Sequence, residues 1–478
     1  MQFRPWPDTS ATEREQEQLA QWKAEGLFRQ TLEATRGGQP FVFFEGPPTA
    51  NGRPGIHHVF SRTIKDLICR FRALQGRSVT RIAGWDTHGL PVEIEVEKEL
   101  KLSGKRDIER FGVAEFNARA RTSVLRYQSE WEELSDRIGY WLDYDRPYVT
   151  YSNDYVETVW WLLHRLRERD LLYRGHRVLP YCPRCGTALS SHELAQGYET
   201  VTTGSVYLTF PVAGEPGREL LVWTTTPWTL LSNVALAVNP GLEYGEYSVG
   251  DRRIILATAR AASLPSSAAR GAPTFAELGA ERTFPGSALV GVRYERPFDA
   301  VPLPEGAVAE VVVPGEFVTA GDGSGIVHMA PAFGADDYAA GQEHGLALVR
   351  PVAADGTFTG TSWVELEGRL VTAKETNDLI VQRLKGLGRW HSSVPHTHSY
   401  PHCWRCASPL IYYAKDSWFV RTSAIKERMI AINNEIDWHP PEIGAGRFGE
   451  WLENNVDWAL SRDRYWGTPL PVWTCDSD

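Results

Sequence analysis

The chain has 478 residues, 42% of them hydrophobic, which is enough for two or three separate cores because domains usually contain roughly 100–200 residues. Its 60 acidic and 50 basic side chains give a formal net charge of −10, which argues against a protein that coats nucleic acid generally. The first residues lack the basic start and apolar run of a signal peptide, and no stretch reaches the ~18 apolar residues that cross a bilayer. We therefore expect a cytoplasmic protein without a membrane span.

The first 80 residues alternate between helical and extended patterns. Residues 12–28 space apolar side chains like one face of a helix, and the apolar run Phe41–Phe44 predicts a buried strand. A Pro/Gly-rich turn over Gly46–Gly55 follows, and residues 57–76 again have helical spacing. Such a turn before a helix can bind phosphate, because glycine lets the backbone approach and the helix start offers free N–H groups. A purely structural turn is the alternative at this point.

A second predicted strand, Val79–Ala83, ends in the segment GWDTHGLPVE and completes a βαβ unit. Asp86 and His88 then lie at the carboxyl edge of a parallel sheet, where open α/β folds bind ligands. Asp86 could hold a substrate ammonium, or it could cap a helix beside a structural histidine. Helical patterns continue to about residue 172.

From about residue 200 to 390 short β-branched runs alternate with Gly and Pro, which predicts a β-rich inserted domain. Within it, three hydroxyls at Thr224–Thr226, the imidazole of His328 and the carboxylates of Asp336 and Asp337 could bind an amino acid ester and orient water. A threonine run is also common on an ordinary strand surface, so both interpretations stay open.

Four of the six cysteines form two Cys-x-x-Cys pairs, Cys182 with Cys185 and Cys403 with Cys406. This spacing lets paired thiolates share one tetrahedral zinc, and four thiolates leave no open position for catalysis. We expect a structural zinc that joins the two ends of the inserted domain, with buried free cysteines as the alternative. Cys69 and Cys475 receive no assignment from spacing.

Seven segments together resemble the class I isoleucyl-tRNA synthetases, and the GWDTHG segment argues against the valine and leucine enzymes, which have GWDHAG and GYDAFG there. The resemblance implies an α/β fold: a Rossmann-like catalytic domain interrupted by a β-rich editing domain on a zinc-binding linker. It implies catalytic parts at 1–180 and 416–478, a linker at 181–199 and 391–415, and the editing domain at 200–390. The segments are FFEGPPTANG, GWDTHGLPVE, YCPRCGTALS, WTTTPWTL, GIVHMAPAFGADD, SYPHCWRC and DRYWGTPLP.

The resemblance implies ATP-Mg²⁺-dependent activation of isoleucine and transfer of the isoleucyl group to tRNA(Ile). It implies that Pro47 and Trp466 are walls of the isoleucine pocket and that Asp86 binds the substrate ammonium. Further substrate-binding and catalytic positions carried over in the same way are Gly46, Asn51, Gly55, His57 and His58.

The inserted domain would hydrolyse valine misattached to the same tRNA. Valine lacks only one methylene of isoleucine, so a single hydrophobic pocket discriminates poorly and a second site is needed. The resemblance assigns Asp337, rather than Asp336, to the valine ammonium. The other positions that match the editing pocket are Thr224, Thr225, Thr226, Trp228, Asn233 and His328.

The signature loop departs from the family. The usual His-x-Gly-His is here Gly55-Ile56-His57-His58, with the first His and the Gly exchanged. This resembles a bacterial subgroup associated with mupirocin resistance, so we expect weak binding of isoleucyl-adenylate mimics; damage to activity is the alternative.

The chain stops before a KMSKS-type loop and an anticodon-binding domain, so we expect these residues alone not to aminoacylate. Cys475 could begin another zinc knuckle beyond the end. We expect a monomer. The competing interpretations are a sister ligase for valine or leucine and a zinc-stapled tRNA-binding or stand-alone editing paralogue.

Overall fold

The computed structural model describes residues 8–473 and 475, and its contacts divide the chain into two units. The first unit contains residues 1–166 and 464–478, and the second contains residues 167–463. Among the helices in the described part of the chain, none is both long and apolar enough to cross a membrane.

The first unit is mainly helical around a short parallel pair of strands. β1 and β2 pair with Ile82 opposite Asp143 and Trp85 opposite Val149. The elements in chain order are α1 Ala11–Glu25, α2 Leu27–Ala34, α3 Ile56–Leu74, β1 Ile82–Trp85, α4 Leu90–Leu100, α5 Lys105–Phe111, α6 Val113–Ser123, α7 Gln128–Arg137, β2 Asp143–Val149 and α8 Asn153–Glu168, which crosses into the second unit.

The helix predicted over 12–28 is two helices. Ser10 and Glu13 form a capping box that starts α1, and Gly26 ends it with φ 60°, in the left-handed region that glycine adopts without strain. The helix predicted over 57–76 is confirmed as α3.

The buried strand predicted at Phe41–Phe44 is wrong. Only one bridge, Pro40 to Ser78, forms there, with the Phe41 N–H donating to the Ser78 carbonyl at 2.9 Å. Val42 and Phe44 are 71% and 87% exposed. The following strand forms at Ile82–Trp85 rather than Val79–Ala83, because the pairing with β2 decides its bounds. An apolar run forms a strand only where a partner completes its ladder.

The second unit contains the predicted β-rich insert. Its elements in chain order are β3 Leu172–Cys182, β4 Thr187–Ala188, α9 Ser191–Ala195, β5 Tyr198–Pro211, β6 Arg218–Thr224, β7 Ala235–Val238, β8 Glu243–Val249, β9 Arg252–Ala257, α10 Phe275–Leu278, β10 Arg282–Pro285, β11 Val311–Pro314, β12 Ile326–Met329, α11 Ala335–His344, α12 Lys374–Gly386, β13 Trp390–Pro401, β14 Ile411–Val420, α13 Lys426–Asn433, α14 Glu442–Ala445, α15 Arg447–Glu453 and β15 Trp458–Ala459.

Two sheets organise this unit. A nine-stranded mixed sheet has the order β10-β8-β9-β6-β12-β7-β11, with β5 paired to β6 and β13 paired to β5. A four-stranded sheet has the order β15-β14-β3-β4. One core of buried Val, Leu, Ile and aromatic side chains spans strands of both sheets, from Leu179 and Tyr413 to Leu236 and Ile326. The β-rich structure predicted from the composition of residues 200–390 is therefore confirmed.

The chain enters and leaves the nine-stranded sheet along one antiparallel ribbon. Tyr198 of β5 lies opposite Pro401 of β13, and Tyr181 of β3 lies opposite Ile411 of β14. Both Cys-x-x-Cys segments therefore lie where the ribbon meets the four-stranded sheet, although more than 200 residues separate them in sequence.

Candidate substrate and metal sites

The signature loop lies at the start of α3 in the first unit: Gly55 is the N-cap residue, and Ile56, His57 and His58 are the first three residues of the helix. The Gly55 N–H donates to Nδ1 of His58 at 2.8 Å, so His58 satisfies a backbone donor at the helix start. Its ring packs on Trp131 with centroids 4.5 Å apart. Burial, followed by the nearby His57 and Arg62, lowers the pKa of His58, which favours the neutral ring.

The exchanged histidine lies over the glycine. A Cβ added to Gly55 would lie 2.9 Å from Cε1 of His57, and the His57 and His58 rings have centroids 3.7 Å apart. The imidazole of His57 therefore occupies the space beside the Gly55 backbone, at the start of the helix.

The Pro-rich turn and the end of β1 meet at the carboxyl edge. The Asp86 N–H donates to the Pro48 carbonyl at 3.0 Å, and Asn51 Nδ2 donates to the Pro91 carbonyl at 3.1 Å. These bonds bring Pro47, next to Pro48, and Asn51 into the same region as Asp86.

Trp466 belongs to this region although it lies 380 residues later in the chain. Its indole Nε1 donates to the Thr87 carbonyl at 2.6 Å, and its own carbonyl accepts from the Gly89 N–H at 3.1 Å. His88 packs edge-on against the indole at 5.4 Å between centroids, and burial lowers the pKa of His88 to about 4. The structure thus places Trp466 against Thr87, His88 and Gly89, the residues that follow Asp86.

The residue that fixes Trp466, and that sequence reasoning missed, is Glu93 of α4. Its Oε1 accepts the N–H groups of Tyr465 and Trp466 at 2.8 Å each, and its Oε2 accepts from Arg464 at 2.8 Å. The Glu93 side chain is 1% exposed and that of Arg464 is 8% exposed. Glu93 is one of four glutamates among the 11 residues of α4, so its type and spacing give no signal that this one is buried beside Arg464.

In the second unit, a cavity of about 530 Å³ lies beside the threonine run. Thr225, Thr226 and Trp228 line it, together with His398 and Tyr400 of the β5–β13 region. The other predicted editing residues, Thr224, Asn233, His328 and Asp337, are not among its lining residues.

His328 and Asn233 lie behind the cavity wall in a buried hydrogen-bonded chain. His328 Nε2 is 2.7 Å from Thr229 Oγ1, and Nδ1 is 3.2 Å from Asn233 Nδ2. The Thr229 hydroxyl donates to the Thr226 carbonyl at 2.8 Å. Burial lowers the pKa of His328 to about 4. The imidazole is therefore neutral at pH 7, and its hydrogen bonds lead to the cavity through Thr229 and Thr226.

Asp337 lies in the first turn of α11, and its carboxylate accepts the Ala330 N–H at 2.7 Å. Burial raises its pKa to about 6, whereas Asp336 is exposed. Phe333, in the turn between Ala330 and α11, packs edge-on against Trp228 at 4.9 Å between centroids. That contact links the Asp337 turn to the cavity wall.

The four predicted metal ligands come together. The sulfurs of Cys182, Cys185, Cys403 and Cys406 all lie within 4.8 Å of one another, and Cys406 Sγ is 3.6 Å from Cys182 Sγ and 3.5 Å from Cys185 Sγ. A tetrahedral zinc with Zn–S bonds of ~2.3 Å needs sulfurs ~3.8 Å apart, so the donor set and spacing fit such an ion.

The two cysteine turns have the same backbone form. The Gly186 N–H donates to the Cys182 carbonyl and the Ala407 N–H donates to the Cys403 carbonyl, both at 2.8 Å. The residue after the second cysteine has positive φ in each turn, 64° at Gly186 and 56° at Ala407. Glycine adopts that conformation freely, and alanine adopts it at a cost.

The comparison with known families matches residues 17–478 to the class I tRNA synthetases for I, L, M and V, and the chain belongs to that family. It is similar in particular to isoleucine--tRNA ligases. That of Clostridium novyi is 47% identical over 95% of this chain and 42% of its own length, and that of Thermobifida fusca is 49% identical over 96% and 42%. The chain spans less than half the length of these relatives.

Similarity to solved structures is weaker. The crystal structure of the Agrobacterium radiobacter LeuRS-tRNA-LeuAMS ternary complex aligns with 97% of this chain and 49% of its own at 15% identity, with a TM-score of 0.36. A similarity at that level carries no argument about the sites.

Proposed function

We propose that this chain is the part of an isoleucine--tRNA ligase that forms one side of the amino acid activation site and a separate site for hydrolysis of Val-tRNA(Ile). The observation that carries the proposal is the cluster at the carboxyl end of β1, where Glu93 accepts the Trp466 backbone N–H and the Thr87 carbonyl, next to Asp86, accepts from the Trp466 indole. The similarity to isoleucine--tRNA ligases along nearly the whole chain supports isoleucine as the amino acid.

At the activation site, the Asp86 carboxylate would bind the isoleucine ammonium, and Pro47 and Trp466 would contact its aliphatic side chain. Gly46 and Asn51 would complete the substrate contacts. Gly55, His57 and His58, at the positively polarised start of α3, would bind ATP. The isoleucine carboxylate oxygen attacks the α-phosphate of ATP, the bond from that phosphorus to the bridging oxygen breaks, and pyrophosphate leaves; Mg²⁺ would enter with ATP as part of the substrate. Transfer of the isoleucyl group to the terminal ribose of tRNA(Ile) releases AMP. The residues named act by positioning and charge stabilisation.

At the hydrolytic site, the cavity beside Thr225, Thr226 and Trp228 would take the valyl ester, with Asp337 accepting its ammonium. Water adds to the ester carbonyl and the ribose oxygen leaves with a proton, so valine and intact tRNA are the products. Thr224, Asn233 and His328 would support the cavity from behind. Isoleucine would be excluded by its additional methylene.

The four cysteines would hold a structural Zn²⁺, which supplies no chemistry to either reaction because thiolates fill all its positions. The supporting observation is the sulfur cluster at the base of the ribbon. Metal analysis of the purified chain should find about one zinc per molecule, and none in the Cys403→Ser, Cys406→Ser double variant. One zinc retained by that variant would contradict the assignment.

The signature loop supports a separate proposal, weak binding of mupirocin. The His57 ring fills space beside the Gly55 backbone, at the start of α3, where an adenylate mimic would bind. In a longer protein that contains this loop, Gly55→His with His57→Gly should restore tight inhibition. Tight inhibition that is already present, and unchanged by the exchange, would contradict it. The domain bounds, the monomeric state and the cytoplasmic location stay predictions.

The hydrolytic site is tested with tRNA(Ile) charged with valine and, separately, with isoleucine. We expect the chain to release valine only, and Asp337→Ala to abolish release while the exposed neighbour variant Asp336→Ala retains it. Equal hydrolysis of both esters, or full activity in Asp337→Ala, would contradict the proposal.

Pyrophosphate exchange with isoleucine, valine and leucine, on a longer protein that contains this chain, separates the remaining alternatives. Exchange with isoleucine supports the ligase, whereas exchange with valine or leucine indicates a sister ligase. No exchange combined with retained hydrolysis of the valyl ester indicates a stand-alone editing protein.

A further inference from the structure

A buried tyrosine hydroxyl extends the hydrogen-bonded chain that contains His328 and Asn233. Tyr294 is 2% exposed, and its backbone forms an isolated bridge with Val212, next to the end of β5. Its hydroxyl donates to Asn233 Oδ1 at 2.7 Å. The hydrogen bonds therefore run from Tyr294 through Asn233, His328 and Thr229 to Thr226.

The direction of every bond in this chain is fixed by groups that can only accept. The Ala235 carbonyl lies 3.0 Å from Asn233 Nδ2, so the amide must present its NH₂ to that carbonyl and its oxygen to Tyr294. The second hydrogen of the same NH₂ then points to His328 Nδ1, which must be an acceptor.

At the other end, the Thr226 carbonyl can only accept, so it takes the hydrogen of the Thr229 hydroxyl. Thr229 Oγ1 is then the acceptor for His328 Nε2, which must carry the ring proton. Both ends of the chain therefore require the same form of the neutral ring, protonated on Nε2.

We propose that Tyr294 is a positioning residue of the hydrolytic cavity, which holds the Asn233 amide in the orientation that keeps His328 in its Nε2–H form and thereby holds Thr226 in place. This inference rests on the proposed function of the cavity. Tyr294 touches no substrate and acts only through this chain.

The consequence at the cavity is a defined hydroxyl. Because Thr229 commits its own hydrogen to the Thr226 carbonyl, its Oγ1, 3.3 Å from Thr226 Oγ1, can accept the Thr226 hydroxyl hydrogen, as can Thr224 Oγ1 at 3.4 Å. The Thr226 backbone N–H is held in turn by Thr224 Oγ1 at 3.1 Å. Thr226 then offers oxygen lone pairs to a water or a ribose hydroxyl in the cavity that it lines. Without the Tyr294 hydroxyl, Asn233 Oδ1 loses its buried donor and only the Ala235 carbonyl still orients the amide, so the preference for this orientation and for the Nε2–H ring weakens.

The test compares the whole chain with its Tyr294→Phe variant, which keeps the ring and removes the hydroxyl. Tyr413→Phe is the matched control, since its buried hydroxyl also bonds a single carbonyl, that of Val352, away from this chain of bonds. Two readouts are taken: the ¹⁵N chemical shifts of the His328 ring nitrogens, and kcat and KM for hydrolysis of Val-tRNA(Ile).

We expect the Nε2–H form in the wild-type chain and in Tyr413→Phe, and a mixture with the Nδ1–H form in Tyr294→Phe. The loss of one buried hydrogen bond should lower kcat about tenfold in Tyr294→Phe, with KM nearly unchanged. An Nδ1–H ring in the wild-type chain overturns the proposal. So does a Tyr294→Phe variant with unchanged ring shifts and unchanged kcat.

If Tyr294→Phe does not fold, Asn233→Asp serves in its place, because a carboxylate offers only acceptors to His328 and must draw the proton to Nδ1. Unchanged Nε2–H shifts in that variant overturn the proposal. If the ring shifts respond as expected but no form of the chain hydrolyses Val-tRNA(Ile), the hydrogen-bonded chain stands and the proposed hydrolytic function fails.

Discussion

The two candidate sites hold their key side chains by opposite means. In the first unit, a buried ion pair between Glu93 and Arg464 fixes the backbone that carries Trp466. In the second unit, the neutral chain from Tyr294 to Thr226 holds the cavity wall without a charge. A charged anchor costs much more when one partner is lost, whereas a neutral one depends on the direction of each hydrogen bond. Removing one charged partner should therefore destabilise the first site strongly, whereas the second site should be sensitive to any change that reverses a hydrogen bond.

The largest effect is expected from breaking the charged anchor. Glu93→Ala removes a buried acceptor from the Arg464 guanidinium and from two backbone N–H groups, which should lower the free energy of unfolding by about 3–5 kcal/mol. Urea unfolding followed by tryptophan fluorescence measures it. Glu95→Ala, on the same helix but partly exposed, is the control and should change stability by less than about 0.5 kcal/mol. Similar values for the two variants would mean that the ion pair does not anchor Trp466.

Protonation of the neutral anchor should come next in size. The pKa of His328 is about 4 in the folded chain against its ordinary 6.5, so the folded state binds fewer protons than the unfolded state. The corresponding stability is present above pH 6.5 and is lost as the pH falls through 4. The loss amounts to about 3 kcal/mol at most. Unfolding free energies between pH 7 and pH 4 should therefore fall less steeply in His328→Gln than in the wild-type chain, and equal slopes would contradict a neutral buried ring.

Asp337 acts on stability with the opposite sign. Its pKa is raised from 3.8 to about 6, so its contribution favours folding below pH 3.8 and is lost as the pH rises through 6. Asp337→Asn, which keeps an oxygen to accept the Ala330 N–H, should be more stable than the wild-type chain by about 1–3 kcal/mol at pH 8 and equal to it near pH 3.5. Thermal unfolding at the two pH values checks this. Because His328 and Asp337 offset each other between pH 4 and 6, the variants must be measured separately.

The smallest effect is expected in the two cysteine turns, which share a backbone form and differ in one residue. Ala407→Gly removes the cost of a positive φ and should raise stability by about 0.5–1 kcal/mol. Gly186→Ala introduces the same cost and should lower it by a similar amount. Melting temperatures that shift in the same direction in both variants would contradict the equivalence of the turns.

Local patterns in the sequence anticipated features that neighbouring residues determine. The spacing of apolar side chains identified α3, and the Cys-x-x-Cys spacing identified the sulfur cluster before any contact was known. The resemblance to a family brought Asp86 and Trp466 into one region, where the structure also has them. These features are encoded within a few residues or within a shared motif.

Features that depend on distant partners were missed or wrong. Phe41–Phe44 has the composition of a strand but makes no ladder, because pairing is decided by residues elsewhere. In the sequence Glu93 looks like an ordinary helix residue, and only the structure shows its contact with Arg464. Tyr294 likewise looks like an aromatic core residue, and only the structure shows that its hydroxyl donates to Asn233. The motif places His328 in the pocket, whereas its side chain lies behind the cavity wall, because a motif carries no information on depth.

The ribbon of β5 and β13 has a further consequence for the history of such proteins. Tyr198 and Pro401 lie opposite each other on neighbouring strands, so the segment between them begins and ends at the same place in the fold. A segment with adjacent ends can be inserted, shortened or exchanged during evolution without rethreading the fold that carries it. The same geometry makes this ribbon the natural place at which to exchange the inserted segment for a different one.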